Sequence, residues 1–231
     1  MKQAILDQLL ADRAAKRAVV LVTDLSSGDG LLVYPAEDGS NGLDETLAAA
    51  LDEAVRADRS TTVETPGGSV FLHVFNPPKR LIVVGAVHIA QPLARMAVLA
   101  GYDVTVVDPR GAFASKDRFP GMTVLSDWPD DALNTLAPDA RTAVVTLTHD
   151  PKLDDPALEV ALNSDAFYVG SLGSKKTHAA RLERLRQAGF GEDALDRING
   201  PVGLAIGAKS PAEIAVSILA QITERLRTDA T

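Results

Sequence analysis

The stretch Arg80-Leu-Ile-Val-Val-Gly-Ala-Val-His-Ile-Ala90 constrains the fold more than any other, because an apolar run of strand type passes through a glycine directly into an amphipathic helix. Leu81 to Val84 is short, continuously apolar and rich in β-branched residues, the pattern of a parallel strand buried on both faces. The following helix is expected to stop at Gly101. Asp103-Val-Thr-Val-Val-Asp108 reads as a second such strand. Its terminal acid lies about 20 residues past the glycine turn, where a carboxylate can reach a ribose hydroxyl. Strand, tight turn, helix, strand and acid together predict an α/β fold: a Rossmann-like, mostly parallel sheet with helices on both faces.

The glycine fingerprint of such folds, G-x-G-x-x-G/A, maps to Gly85, Val87 and Ala90. The middle position, normally a glycine that lets a pyrophosphate approach the backbone, is a valine, which disfavours ordinary dinucleotide binding.

Composition removes several function classes. The 231 residues are 46% hydrophobic and 23% charged, enough for a full core, and the formal net charge is -8. With no long Lys/Arg run, nucleic acid is not an expected partner, although a local basic pocket for one small anion is compatible with this charge. No apolar span approaches the ~20 residues of a membrane helix and no signal-peptide core opens the chain, so a cytoplasmic protein is expected. The chain has no cysteine, which excludes disulfides, thiolate metal sites, a cysteine nucleophile and a persulfide carried on this chain. None of the four histidines, His73, His88, His149 and His178, stands at metal-ligand spacing, and no metal site is expected.

The first 76 residues read as a small α+β N-terminal domain: a helix through Ile5, Leu6, Leu9 and Leu10, a strand from Ala18 to Thr23, another at Leu31 to Tyr34, a helix from Leu43 to Asp58, and a hairpin about Pro66-Gly67-Gly68. Pro77-Pro78 imposes an extended path and marks the boundary, with residues 79–231 forming the second domain. There, residues 109–121 read as a long loop with the length of a lid, followed by a short strand at Thr123 to Leu125. Ala143 to Leu147 is a buried strand ending in Thr148-His149-Asp150. Asp155-Pro156 predicts the N-cap and first-turn proline of a helix to Leu162. Phe167 to Val169 is one more strand, and a helix is expected from about Thr177 to Ala188. Ser210-Pro-Ala-Glu213 has the form of a capping box, opening a helix whose stripe Ile214, Ile218, Ile222 and Leu226 should pack on the sheet.

In an open parallel sheet the loops leaving the carboxyl ends of the strands share one edge, and the ligand crevice forms there. The expected site therefore gathers Gly85, Val87 and His88; Asp108 and Arg110; Thr148, His149 and Asp150; and Gly170, Ser171, Gly173, Ser174 and Lys175. The last group places glycines, hydroxyls and a lysine at a helix start, where free N–H groups and the positive dipole end favour a phosphate or carboxylate. Walker spacing is absent. No Ser-His-Asp pattern, Tyr-x-x-x-Lys pair or isolated acid pair names a catalytic chemistry, so the chain reads as a non-catalytic binder with no assigned catalytic residue.

These residues resemble the C-terminal Rossmann-like domain of the XdhC/CoxI family, accessory proteins for molybdenum hydroxylases such as xanthine dehydrogenase. The resemblance runs from Arg80 to Leu226 through Gly85-Ala-Val-His88, Val107-Asp-Pro-Arg110, Arg118-Phe-Pro120, Leu147-Thr-His-Asp150, Tyr168-Val-Gly-Ser-Leu-Gly-Ser-Lys175 and Gly203-Leu-Ala-Ile-Gly-Ala-Lys-Ser-Pro-Ala-Glu-Ile-Ala215. It departs from the family pattern at Val87, at Ala205 for an aspartate and at Gln221 for a glutamate. The first 75 residues also lack the family's N-terminal Ser-x-Pro-Arg and Gly-Gly-Cys-x-Glu stretches. The resemblance implies an accessory protein or chaperone that binds the molybdenum cofactor, molybdopterin, and assists its maturation or its insertion into the hydroxylase. Implied partners are the apo-molybdenum hydroxylase, a cysteine desulfurase, a separate polypeptide carrying the family's N-terminal domain, and a second copy in a homodimer. Molybdopterin carries a phosphate and its dinucleotide form a pyrophosphate, both suited to glycine turns at helix starts. Two alternatives stay open: an NAD(P)-dependent oxidoreductase, supported by Asp108, and a non-catalytic assembly scaffold.

Overall fold

The computed structural model describes residues 2–35, 42–111, 115 and 117–228. The chain divides into two compact units, one ending at Pro78 and the other starting at Lys79. Part of the expected lid, residues 112–114 and 116, lies outside the described residues.

The first unit runs α1 (Gln3–Ala14), β1 (Val19–Asp24), β2 (Gly30–Val33), α2 (Glu45–Ala57), β3 (Thr61–Thr65) and β4 (Gly68–Phe75). Its strands form an antiparallel sheet in the order β2-β1-β4-β3. Alternation along β1 sends Val20 and Val22 to one face, where Leu47, Leu51 and Ala54 of α2 cover them, and Val19 and Leu21 to the other, against Leu9 of α1. Asp44 caps α2 by accepting from Leu47 N–H at 3.0 Å.

The second unit continues with β5 (Arg80–Val84), α3 (Ala90–Leu99), β6 (Asp103–Val107), β7 (Thr123–Leu125), α4 (Pro129–Leu136), β8 (Thr142–Thr146), α5 (Pro151–Leu162), β9 (Tyr168–Ser171), α6 (Lys175–Gln187), α7 (Glu192–Leu195), β10 (Ile198–Asn199) and α8 (Pro211–Thr228). Its sheet is wholly parallel, in the order β10-β9-β8-β5-β6-β7. This is the doubly wound order whose direction reverses between β5 and β8, so the crevice opens beyond the carboxyl ends of those two strands. Because helices cover both faces, β5 is apolar at every inner position: Leu81 and Val83 pack with α3 and α8, Ile82 and Val84 with α4 and α5. The α8 stripe seats Ala215, Ile218 and Ile222 in the first of these layers. Truncating Ile218 to alanine there costs about 2–5 kcal/mol. Among the described residues no helix is long and apolar enough to cross a membrane.

Several local expectations need correction. α5 begins five residues earlier than expected: Asp150 is its N-cap, accepting from Lys152 N–H at 3.0 Å, Pro151 opens the first turn, and Pro156 lies inside the helix. Asp150-Pro151 and Asp155-Pro156 carry the same local signal, and the first governs because the chain turns directly off β8. α6 starts at Lys175 because Ser174 caps it through Thr177 N–H at 3.1 Å. Local pattern missed α4, α7 and the two-residue β10. The capping box at α8 forms as expected, with Glu213 N–H donating to Ser210 Oγ at 3.2 Å and Ser210 N–H to Glu213 Oε2 at 2.8 Å.

Candidate functional site

At the end of β5 the chain turns at Gly85, whose φ is +105°. A Cβ there would lie 2.6 Å from Thr148 Cγ2, so the β8 loop, rather than a ligand, requires the glycine. The next amide, Ala86 N–H, donates to Asp108. Its fully buried carboxylate accepts from Ala86 N–H at 2.8 Å, from Arg110 N–H and Nε at 2.9 Å each, and from Arg110 Nη2 at 2.8 Å. Burial pushes this carboxyl up, but the Arg110 side chain and the two backbone N–H groups reverse that and hold it below its ordinary value. With both oxygens engaged, Asp108 ties the β6 end to the β5 turn and offers no free acceptor to a ribose. Arg118, reaching in from the β6–β7 connection, donates to Ala86 O at 2.8 Å. Val87 packs against the core and His88 is exposed. α3 starts without a side-chain cap, and among the described residues no acceptor meets the N–H groups of Val87, His88 and Ile89.

The β8 loop is built around a residue that local pattern missed. Asp154, 1% exposed in the first turn of α5, accepts from Thr148 Oγ1 at 2.6 Å, Thr148 N–H at 3.3 Å and His149 N–H at 3.1 Å. Burial raises its pKa against the pull of these donors. The brace holds His149 at φ +63°, a left-handed conformation that costs a non-glycine residue about 1–2 kcal/mol, and leaves its imidazole exposed. Asp150 serves as the helix cap. The charges of Asp150 and Asp154 both act on Arg110, which places the β6 and β8 loops beside one another.

In the β9 loop the predicted residues separate. Gly170 is required by its own surroundings, since a Cβ would meet Val202 Cγ2 at 2.6 Å and the Tyr168 ring at 2.8 Å. Ser171 is buried, its Oγ 2.5 Å from Thr146 Oγ1. Gly173, Ser174 and Lys175 stand at the start of α6, with Ser174 and Lys175 exposed. Below them Arg181, 2% exposed, donates from Nη2 to Leu172 O at 2.8 Å. Gln221 accepts from Tyr168 OH at 2.6 Å and from Gly203 N–H at 2.8 Å, an uncharged link between β9 and the loop after β10.

The structure thus brings Gly85 against Thr148, Asp108 and Arg110 against Ala86, and Ser171 against Thr146. His88, His149 and Lys175 are exposed at the same carboxyl edge. Arg118 and Asp154 had local signals, the first in Arg118-Phe-Pro and the second four residues after the cap Asp150. Arg181 had none, because a helical arginine among charged neighbours reads as a surface residue. The helix-start N–H groups beside Lys175 suit a phosphate, whereas Asp108, with both oxygens engaged, does not suit a ribose.

Residues 81–222 match the XdhC Rossmann domain family. The chain is 32% identical to the uncharacterized protein YqeB of Escherichia coli K12 over 156 residues, 68% of this chain and 29% of that protein. It is 32% identical to the molybdenum cofactor insertion chaperone PaoD of the same organism over 64% of this chain and 40% of that one. With a probable xanthine dehydrogenase subunit of Bacillus subtilis 168 it shares 32% over 68% of this chain and 46% of that one. The chain therefore spans less than half the length of each of these relatives. Its fold matches a crystal structure of a xanthine dehydrogenase from Bacillus halodurans with a TM-score of 0.70 and 28% identity, over 96% of this chain and 66% of that one. By sequence and by fold, the chain belongs to the XdhC family, whose Rossmann domain it carries in residues 81–222.

Proposed function

We propose that this chain is an accessory protein for a molybdenum hydroxylase of the xanthine dehydrogenase type, holding molybdopterin as cargo by its phosphate or pyrophosphate group. The observation that carries this reading is the pair of helix starts, α3 beyond β5 without a side-chain cap and α6 beyond β9 with Ser174 taking only Thr177 N–H, which flank the β8 loop at one sheet edge. Free N–H groups and the dipole ends favour an anion, Lys175 adds charge, and the exposed imidazoles of His88 and His149 can donate to it. The chaperone relative supports the same cargo. A chain without cysteine leaves sulfur transfer to a partner of the cysteine-desulfurase class, before the cargo passes to the apo-hydroxylase.

Molybdopterin retention at matched stability and fixed salt tests the reading. Lys175→Ala should weaken binding roughly tenfold to a hundredfold if the lysine meets the phosphate. Lys176→Ala, about 100° further round the helix, should do less, and Gly173→Val should block approach. Full retention by both Lys175→Ala and Gly173→Val would reduce this loop to a chain reversal and leave the scaffold alternative. For NAD(P), the engaged Asp108 and the side chain of Val87 predict weak binding. Micromolar binding of NADH or NADPH, about -8 kcal/mol by calorimetry, would overturn that expectation.

A further inference from the structure

Arg181 is the one buried basic side chain among the described residues. It lies in the second turn of α6, 2% exposed, with one hydrogen bond to the neutral carbonyl of Leu172, while Nε and Nη1 have no hydrogen-bond partner. The two acids whose charges act on it are already bound elsewhere: Asp155 by Arg184 at 2.5 and 3.0 Å, and Asp154 by Thr148 and His149. A buried guanidinium in this state is costly unless something else supplies the countercharge. The Leu172 contact places it directly under the β9–α6 loop. A Cβ on Gly173 would lie 3.6 Å from Nη2 and 3.2 Å from Thr177, so the guanidinium lies within van der Waals reach of the space that the missing side chain leaves.

We propose that Arg181 is a phosphate-binding residue: a phosphate monoester or pyrophosphate seated on the loop from Leu172 to Lys175 takes this guanidinium as its buried countercharge, entering over Gly173. The planar fork of arginine matches phosphate oxygens in pairs, and the α6 N–H groups meet the same anion from the other side. The inference rests on the reading of this loop as the cargo's anion site, and adds the residue that fixes the anion from below.

The probe is inorganic pyrophosphate, titrated calorimetrically into the full chain, with molybdopterin retention measured in parallel. Arg181→Met, which keeps the volume and removes the charge, should lose at least about tenfold in pyrophosphate affinity, and Gly173→Ala should do the same. Arg181→Lys should retain part of the binding. Equal pyrophosphate binding by wild type and Arg181→Met, or none by wild type, overturns the proposal. Should Arg181→Met fail to fold, unchanged affinity in both Arg181→Lys and Gly173→Ala overturns it instead. Wild type that binds pyrophosphate through Arg181 but never retains molybdopterin would uphold this site and sink the cargo assignment. Molybdopterin retained equally with and without Arg181 would do the reverse.

Discussion

The two halves of the crevice use the same vocabulary to opposite ends. On the β5–β6 side a glycine turn, an acid and two arginines close on each other, so that Asp108 takes Ala86 N–H and Arg110 while Arg118 takes Ala86 O. On the β8–β9 side an acid braces the loop from inside, but Arg181 keeps unused donors and Gly173 to Lys175 face outward. The glycine of the β5 turn is thus set by packing against Thr148, whereas the β8–β9 side keeps buried donors unused.

The largest expected effect falls on the closed half. Asp108→Ala should destabilise the protein by about 2–4 kcal/mol in urea unfolding, below the ~3–5 of a wholly buried pair because the Arg110 side chain, 38% exposed, can turn to water. A loss under about 1 kcal/mol would break the contrast at its root. On the open half, Asp154→Ala frees the N–H groups of Thr148 and His149 and should cost about 1–3 kcal/mol, and it should also weaken molybdopterin retention.

The pH dependence sharpens the comparison because the two acids are shifted in opposite directions. Asp108 is held below its ordinary 3.8, so its contribution is present above that value and lost as pH falls through the lower folded pKa. Asp154 is raised by burial, so its contribution is present below the ordinary value and lost as pH rises through the raised folded pKa. Urea midpoints across the acid range should therefore lose their low-pH fall in Asp108→Asn and their decline above pH 3.8 in Asp154→Asn. The same slope in both variants would show that the halves do not differ electrostatically. The smallest effect is away from the crevice: Ser210→Ala should remove a cap worth ~1 kcal/mol and leave molybdopterin retention unchanged.

The buried strands were legible because a strand covered on both faces must be apolar at every position, as Leu81 to Val84 and Ala143 to Val145 are. The carboxyl-edge loops were legible for the same reason, since strand ends locate them. The short pieces were not: β10 has two residues, and α4 shows little beyond its opening proline.

Sequence by itself determined the alternation of strand and helix, the capping box at Ser210 and the resemblance carried by the loop motifs, all of which depend on residues within a few positions of one another. Tertiary structure alone decided which glycines serve packing, with Gly85 set by Thr148 and Gly170 by Val202. It also decided that Asp108 is engaged and that Arg181 is buried with donors to spare. These outcomes depend on strand order and register, which bring together groups more than twenty residues apart, such as Ala86 and Asp108, and no local period encodes such a meeting.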